Sequence, residues 1–124
     1  MTEHPNAVMA RQMADALSRG DMQALAEFLA DDVIWHEIGS FEPLRGKTAL
    51  AARSGGAVDY EITGELHDII ANDEHTIALV DATATRAGKT FKYRTAEIYH
   101  VRDGKIAERW AFSDDTAAIT AFFA

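Results

Sequence analysis

The sequence predicts an α+β domain in which N-terminal helices pack into the concave face of a strongly curved antiparallel sheet. Helical spacing of apolar residues is confined to the first part of the chain and to its C-terminal end. Between them, from Val58 to about Phe112, lie four strand-like stretches in meander order. Each is about 9 to 13 residues long, against the usual 5 or 6, which favours a bent sheet over a flat one. With 124 residues, the chain predicts a single domain, residues 1–124, with one core.

Two helices are predicted at the N-terminal end of the chain. The first runs from about Pro5 to Arg19, because Pro5 suits a first helical turn and Gly20 can close the end. Asp21 can cap the second helix, whose apolar stripe has helical spacing and consists of Met22, Leu25, Phe28 and Leu29.

Two further helices are shorter. A turn-rich loop at 39–46 leads into an Ala-rich helix from about Lys47 to Arg53, which ends at Gly55-Gly56. Asp115 or Thr116 can cap the last helix, whose apolar face consists of Ala118, Ile119, Phe122 and Phe123.

The strands are separated by turn residues. A first short strand is predicted from Val33 to Ile38, before the 39–46 loop. Turn residues at 71–74, 87–89 and 102–105 divide the four long strands, and Asp103-Gly104 is a strong signal for a tight hairpin. A curved sheet closed by helices leaves an interior in which a small ligand can bind.

The composition narrows the class of function. At 48% hydrophobic and 26% charged residues, the chain has an ordinary globular composition, and no apolar run approaches the roughly 20 residues that span a bilayer. A net charge of −8 opposes binding to nucleic acid and to anionic membrane surfaces. The lack of cysteine and of a secretory signal makes the cytoplasm the expected location.

Glu97 is the first candidate for a functional residue. Strand alternation places it on one face with aromatic and apolar neighbours, namely Phe91, Tyr93, Thr95, Tyr99 and Val101. Burying a carboxylate there without a partner costs several kcal/mol or forces it to hold its proton. The alternative is a structural ion pair with Arg94 or with Arg109 of the last strand.

The first strand supplies a second candidate. Trp35 and Glu37 share one face, and if that face lines the interior, Glu37 and Glu97 can approach each other and divide the acid and base roles. The opposite parity would instead place His36 inside, where a histidine between two isoleucines is more often a core or interface residue.

The last strand and its end supply a third acid, Asp114, which can either act in the pocket or cap the final helix. The other residues expected to line the pocket are Met13, Trp35, Tyr60, Tyr99, Arg109 and Ala111. The five histidines lack close ligand spacing, and the sequence has no cysteine nucleophile, no Gly-x-Ser-x-Gly and no phosphate loop. We therefore expect neither a metal nor a cofactor.

The order of elements and several short motifs resemble the nuclear transport factor 2-like superfamily, and specifically its SnoaL-like branch. The resemblance covers nearly the whole chain and implies a cone-shaped α+β fold, which hosts isomerases, cyclases, epoxide hydrolases, dehydratases and non-catalytic binders. The motifs that carry it are Gly20-Asp21, Asp31-Asp32-Val33-Ile34-Trp35-His36 before Gly39, Pro43-Leu44-Arg45-Gly46-Lys47, and Val101-Arg102-Asp103-Gly104-Lys105-Ile106 through Trp110 to Asp114.

Two catalytic patterns of this superfamily can be compared at single positions. The resemblance to ketosteroid isomerase implies that Glu37 is the general base and Glu97 the protonated acid of the oxyanion hole, although both are Asp in that family. The tyrosine of that hole is missing, since Met13 takes its place, which argues against steroid-type isomerisation. The resemblance to SnoaL-like polyketide cyclases implies that Asp114 is the acid/base, with His100 near a second polar position.

A third pattern does not fit. Limonene epoxide hydrolase requires an Asp-Arg-Asp arrangement, and Ala111 takes the place of its last-strand acid, so we do not expect that chemistry.

The sequence thus predicts a cofactor-free enzyme that moves a proton on an apolar or polycyclic carbonyl compound, with Glu37 as base and Glu97 or Asp114 as acid or oxyanion donor. The alternative is a non-catalytic module that binds a small apolar molecule in the same pocket. Apolar residues on the outer sheet face also predict a homodimer through that face.

Overall fold

The computed structural model describes residues 3–54 and 59–124. The expected helix end at Gly55-Gly56 and the expected strand start at Val58 lie outside these ranges. Four helices and six strands are described, in the order α1 Pro5–Ser18, α2 Met22–Glu27, β1 Leu29–Trp35, β2 Leu44–Arg45, α3 Lys47–Ser54, β3 Tyr60–Ala71, β4 His75–Arg86, β5 Lys89–Arg102, β6 Lys105–Ser113 and α4 Thr116–Phe123.

The strands form one curved, unclosed sheet in the order β2-β1-β6-β5-β4-β3. Strands β3 to β6 form the predicted antiparallel meander. Register shifts between Leu66 and Asp68 in β3 and between His100 and Val101 in β5 mark bulges, which bend the strands that carry them. The α+β class with a curved sheet is therefore confirmed.

Strand β1 differs from its predicted position. It begins at Leu29 rather than Val33, because Leu29 is buried and pairs with Ile106 in a parallel ladder along β6. It ends at Trp35, one residue before the His36 N–H donates to the Arg109 carbonyl at 2.9 Å. Residues 37 and 38 therefore lie beyond the strand, and strand alternation does not apply to them.

Helix α1 packs against the concave face of the sheet. Its N-terminus is capped by the His4 ring, whose Nδ1 accepts from the Asn6 N–H at 3.1 Å. Its buried face consists of small residues and one methionine, namely Ala7, Ala10, Met13 and Ala16. The first three of these belong to the main core, whose other members include Val33, Ile69, Ala78, Tyr99 and Ile106.

Helix α4 closes the chain over the ends of the long strands. Asp115 is its N-cap, and its Oδ1 accepts from the Ala118 N–H at 3.0 Å. Phe123 meets Tyr60 edge-on at 4.9 Å between ring centroids, and Phe122 stacks on Phe91 at 5.2 Å. Of the helices that the structure describes, none combines the length and the apolar character needed to cross a membrane.

Candidate functional site

A cavity of about 350 Å³ lies between α1 and the concave face of the sheet. Its wall is mainly apolar, and most of it comes from α1, β3 and β4. Its polar side chains come from β5 and β6. Four of them are joined by hydrogen bonds and form what we call the polar end, namely Thr95, Glu97, Tyr99 and Arg109. The lining residues are Ala10, Met13, Ala14, Leu17, Trp35, Ile38, Ile62, Gly64, Leu66, Ala78, Val80, Ala82, Tyr93, Thr95, Glu97, Tyr99 and Arg109. We call this space the ligand cavity.

Small residues make the room. On β3 and β4 the sheet presents Gly64, Ala78 and Ala82 to the ligand cavity, and Gly64 pairs directly with Ala82. A Cβ added at Gly64 would lie 3.1 Å from the Val80 Cγ1, so a side chain there would press on Val80, whereas the backbone angle of Gly64 is an ordinary one. Protein interiors are normally close-packed. A row of small side chains facing a helix without filling the space between them therefore indicates a cavity that belongs to the fold.

Glu97 is the centre of the polar end. Its Oε1 accepts from Arg109 Nη2 at 2.9 Å, from Arg109 Nε at 3.3 Å and from the Tyr99 hydroxyl at 3.2 Å. Within the described part of the chain, its Oε2 accepts one hydrogen bond, from the Thr95 hydroxyl at 3.4 Å, which is long for an O–H donor. The Glu97 side chain is 21% exposed and that of Arg109 12%. The carboxylate is therefore paired but still reachable from the cavity.

Arg109 is held from three sides. Besides its contacts to Glu97, its Nη1 donates to the His36 carbonyl at 2.8 Å. Its guanidinium carbon lies 4.6 Å from the centroid of the Trp35 ring, within the range of a cation–π contact. Of the two predicted partners for Glu97, the structure selects Arg109, since Arg94 pairs with Asp81 at 3.0 Å.

Two tyrosines in the cavity wall retain their protons. Burial, followed by the negative charge of Glu97, raises the pKa of Tyr99 well above its ordinary value. The same two causes, in the same order, raise the pKa of Tyr93. Both phenols are therefore neutral at physiological pH and can donate hydrogen bonds.

The structure places most of the predicted pocket residues in this wall. Met13, Trp35, Tyr99 and Arg109 line the ligand cavity together with Glu97. Ala111 lies directly opposite Glu97 on β6, beside the cavity rather than among its lining residues.

Tyr60, which we expected to line the pocket, lies elsewhere. It is 37% exposed and packs against Phe123 of α4, because it begins β3 at the far end of that strand. The β3 residues that reach the cavity are Ile62, Gly64 and Leu66.

Glu37 does not share the ligand cavity with Glu97, and the predicted pairing of the two carboxyls across one pocket is therefore wrong. Glu37 lines a second cavity of about 550 Å³, between α2, α3 and β1, whereas Ile38 lines the ligand cavity. The prediction extended strand alternation to residue 37, but β1 ends at Trp35. Trp35 lies in the wall of both cavities.

Asp114 also lies away from Glu97. Its Oδ1 accepts from the Arg94 N–H at 3.1 Å. It lines another cavity, of about 630 Å³, which has Gly64, Ala82 and Tyr93 in common with the ligand cavity but does not include Glu97. Strand β6 ends at Ser113, so the alternation that would relate Asp114 to the interior has already stopped. Asp115, and not Asp114, caps the last helix.

The two alternative candidates, His36 and His100, lie on the outer face of the sheet, which is the face turned away from α1. His36 Nε2 is 2.7 Å from Glu108 Oε2, and its ring stacks on Trp110 with 5.4 Å between centroids. His100 meets the same Trp110 edge-on at 4.6 Å. Neither histidine lines the ligand cavity.

Several cavity residues were not nominated from the sequence. Tyr93 and Thr95 lie on the predicted face of Glu97 and reach the cavity beside it. The sequence also contained a signal for the small side chains of β4 that face the cavity. Every second residue of this strand from Ala78 to Ala84 is an alanine or a valine. Within residues 3–54 and 59–124, no group of three or more His, Asp or Glu side chains could hold a metal ion.

Comparison with known proteins agrees with this fold. The chain is 30% identical over 131 residues to an uncharacterised protein of Mycobacterium tuberculosis (strain H37Rv), with 100% of both chains covered. A nuclear transport factor 2-like protein of unknown function from Burkholderia pseudomallei superimposes with a TM-score of 0.88 at 18% identity, covering 98% of this chain and 99% of that one. Another from Burkholderia xenovorans has a TM-score of 0.81 at 25% identity, covering 100% and 99%.

The sequence comparison assigns the family. The SnoaL-like domain family matches residues 10–109, which run from α1 to the Arg109 of the polar end. The chain therefore belongs to the SnoaL-like domain family and has a nuclear transport factor 2-like fold.

Proposed function

We propose that the chain is a cofactor-free enzyme that moves a proton on a small, mainly apolar carbonyl compound, with Glu97 as the base. One observation carries the proposal: a carboxylate lies in an otherwise mainly apolar cavity, and its two oxygens have unequal surroundings. The fold supports an enzymatic or binding role at this site. A putative polyketide cyclase of Silicibacter and an epoxide hydrolase of M. tuberculosis share it, each at 20% identity.

The two oxygens of Glu97 divide positioning from chemistry. Arg109 and Tyr99 hold Oε1, which fixes the carboxylate against the wall. Oε2 has the long contact to Thr95 and, among the described residues, no other hydrogen bond, so it can accept a proton from a carbon next to a ligand carbonyl. A base positioned in this way needs no reorganisation when the ligand arrives.

Tyr93 is the group that we assign to the carbonyl oxygen. It lies four residues before Glu97 on the same face of β5, which separates the two Cα atoms by about 13 Å. Its raised pKa keeps the phenol protonated, so it can donate to the oxygen on which negative charge develops as the proton leaves. A ligand lying between Tyr93 and Glu97 would contact both groups.

A second reading of the site is a binding module without catalysis. The specific observation in its favour is the ion pair itself, because a Glu97 that serves only to hold Arg109 would have the same 2.9 Å contact. In that case the polar end orients a bound ligand and catalyses no reaction. Substitution of Glu97 would then change only the affinity for the ligand.

Proton exchange distinguishes the two readings without the natural substrate. The probe is 2-tetralone, an uncharged bicyclic ketone whose acidic C–H groups lie next to the carbonyl. The protein and probe are mixed in D2O at neutral pH, and NMR follows the loss of those protons. We expect the wild-type chain to accelerate exchange over buffer, and Glu97→Gln to reduce this acceleration by about 100-fold or more.

Glu37→Gln is the matched control. It removes the same charge at a residue that lines the second cavity, so exchange should continue at the wild-type rate. Acceleration that survives in Glu97→Gln would refute the assignment of the base. Binding of 2-tetralone without any acceleration would support the binding module instead.

We also propose that the chain forms a homodimer through the outer face of the sheet. A continuous apolar row crosses four strands on this face, because Ile70, Ile77, Ile98 and Trp110 pair in register. Ile70 and the nearby Phe112 are 56% and 60% exposed. Monomers seldom leave such a patch uncovered.

The outer face is also large enough for such an interface. Four strands about 4.8 Å apart and about 33 Å long offer roughly 600 Å² of projected area. An ordinary stable interface buries about 800 Å² of accessible surface per partner, and accessible surface exceeds the projected area of the same patch. A second copy of the chain presents the same apolar row and can cover it by two-fold symmetry.

A further inference from the structure

The charges at the polar end of the ligand cavity cancel. Among the described residues of its wall, Glu97 is the anion and Arg109 the cation, and they lie 2.9 Å apart. A ligand therefore meets no uncompensated positive charge there, in a protein whose formal net charge is −8.

We propose that the ligand cavity selects uncharged ligands that carry a hydroxyl or enol group, and that Glu97 excludes carboxylates by neutralising Arg109. This inference rests on the proposed function in one respect, namely that this cavity is the ligand site. It adds the charge and the hydrogen-bonding character of the ligand.

The preference for a ligand hydroxyl follows from the surroundings of Glu97 Oε2. Among the residues that the structure describes, Oε2 accepts one long hydrogen bond, from the Thr95 hydroxyl at 3.4 Å. An O–H group of the ligand can donate to it, and hydrogen bonds to an ionised acceptor are stronger than those between neutral groups. An ether or a ketone at the same place has no proton to donate.

The exclusion of ligand carboxylates follows from the pairing of Arg109 with Glu97. Three N–H groups of Arg109 are already used, two by Glu97 and one by the His36 carbonyl. A ligand carboxylate that approached the guanidinium would lie beside the Glu97 carboxylate, in an apolar cavity where like charges repel strongly. It would also lose its hydration without gaining an unshared partner.

The enol links this selection to the proposed reaction. When Oε2 accepts a proton from the carbon next to the carbonyl, the ligand becomes an enolate and Glu97 becomes a neutral acid. Return of that proton to the enolate oxygen gives the neutral enol and restores the carboxylate, and the enol O–H can then donate to Oε2. A cavity that prefers hydroxyl to keto groups would therefore hold this product of proton transfer more tightly than the ketone.

Removing the charge of Glu97 should reverse the preference. In Glu97→Gln the amide oxygen can still accept from Arg109, but the guanidinium becomes an uncompensated cation in the cavity wall. The cavity should then bind a carboxylate, because the ligand would replace the lost negative charge.

Three probes with one ring system test the proposal by isothermal titration calorimetry at pH 7. They are 2-naphthol, which donates a hydrogen bond, 2-methoxynaphthalene, which does not, and 2-naphthoate, which is an anion. For the wild-type chain we expect 2-naphthol to bind at least about tenfold more tightly than 2-methoxynaphthalene, and 2-naphthoate to bind most weakly. For Glu97→Gln we expect 2-naphthoate to gain at least about tenfold in affinity and 2-naphthol to lose its advantage.

Glu37→Gln is the control for the lost charge, and its order of affinities should remain that of the wild type. Wild-type binding of 2-naphthoate as tight as that of 2-naphthol overturns the proposal, and this comparison needs no variant to fold. Failure of all three probes to bind also overturns it. An order of affinities as expected, without proton exchange in 2-tetralone, would leave this inference standing and refute only the catalytic proposal.

Discussion

The ion pair at the polar end of the cavity is the residue-scale feature with the largest expected effect on stability. Glu97 and Arg109 are largely buried, and each is the other's charge partner. Removing one member of such a pair leaves a buried charge without compensation, which costs several kcal/mol, whereas removing both can be nearly neutral.

We therefore predict that Arg109→Met lowers the free energy of unfolding by about 3 kcal/mol. The double variant Glu97→Gln, Arg109→Met should recover a substantial part of this loss, because it leaves no buried charge. Urea unfolding followed by circular dichroism measures both values. Equal losses in the single and double variants would contradict the prediction.

Tyr99 should make the stability depend on pH in the alkaline range. Burial first, and then the charge of Glu97, raises its pKa in the folded state well above the ordinary value. The folded state thus favours the protonated phenol. Its contribution is fully present below about pH 10, the ordinary value for tyrosine, and is lost as pH rises towards the folded value.

The prediction is that the wild-type chain loses stability above about pH 10, and that Tyr99→Phe loses less over the same interval because it has no proton to release. The measurement is urea unfolding at pH 8 and at several values above 10. The difference between the free energies of unfolding of the wild type and Tyr99→Phe at pH 8 serves as the reference. Parallel stability curves across this range would show that Tyr99 does not contribute.

At the scale of elements, β4 shows how one strand serves both the cavity and the core. Ala82 lines the ligand cavity, whereas Ala84, two residues further on the same face, is completely buried and does not line it. A larger side chain at these two places meets different surroundings, empty space in the first case and packed atoms in the second.

We predict that Ala82→Val changes the free energy of unfolding by less than about 1 kcal/mol, since the added methyl groups enter the cavity. It should weaken the binding of 2-naphthol, because it occupies ligand space. Ala84→Val should instead cost about 1 to 3 kcal/mol by overpacking, while leaving the binding of 2-naphthol intact. Thermal unfolding and calorimetry on the two variants make the comparison, and the reverse pattern would place the cavity elsewhere.

The same scale explains which parts of the fold the sequence could predict. Local signals were sufficient for the long strands, since Asp103 and Gly104 have φ of 53° and 75° in the hairpin that they were expected to form. They were insufficient for β1, whose extent depends on parallel pairing with residues 74 to 77 positions away in the sequence.

The same dependence on tertiary contacts decided which candidate site residues could be placed from the sequence. Glu97 lies in the middle of a long regular strand, where alternation is a dependable guide to the face. Glu37 and Asp114 lie just beyond strand ends, where alternation stops and the chain can turn either way. Candidates near the ends of predicted strands need tertiary contacts to place them, and those contacts are not visible in one sequence.

At the scale of the whole molecule, the two faces of one sheet differ in character. The concave face holds the ligand cavity, and the outer face carries the apolar row through Ile77, Ile98 and Trp110. The His75–His100 pair and Glu108 border this row on one side, and the Asp81–Arg94 pair borders it on the other. An apolar centre with a polar rim is the usual anatomy of a protein interface.

We predict that the wild-type chain sediments as a dimer, and that Phe112→Arg converts it to a monomer. Phe112 is 60% exposed beside the apolar row, so an arginine there would bury a charge from each copy in the proposed interface. Phe41→Arg is the matched control, because Phe41 is a fully exposed phenylalanine in the loop between β1 and β2. Sedimentation velocity should therefore show a dimer for Phe41→Arg and a monomer for Phe112→Arg. A wild-type monomer at high protein concentration would refute the dimer, and the apolar row would then need a different partner.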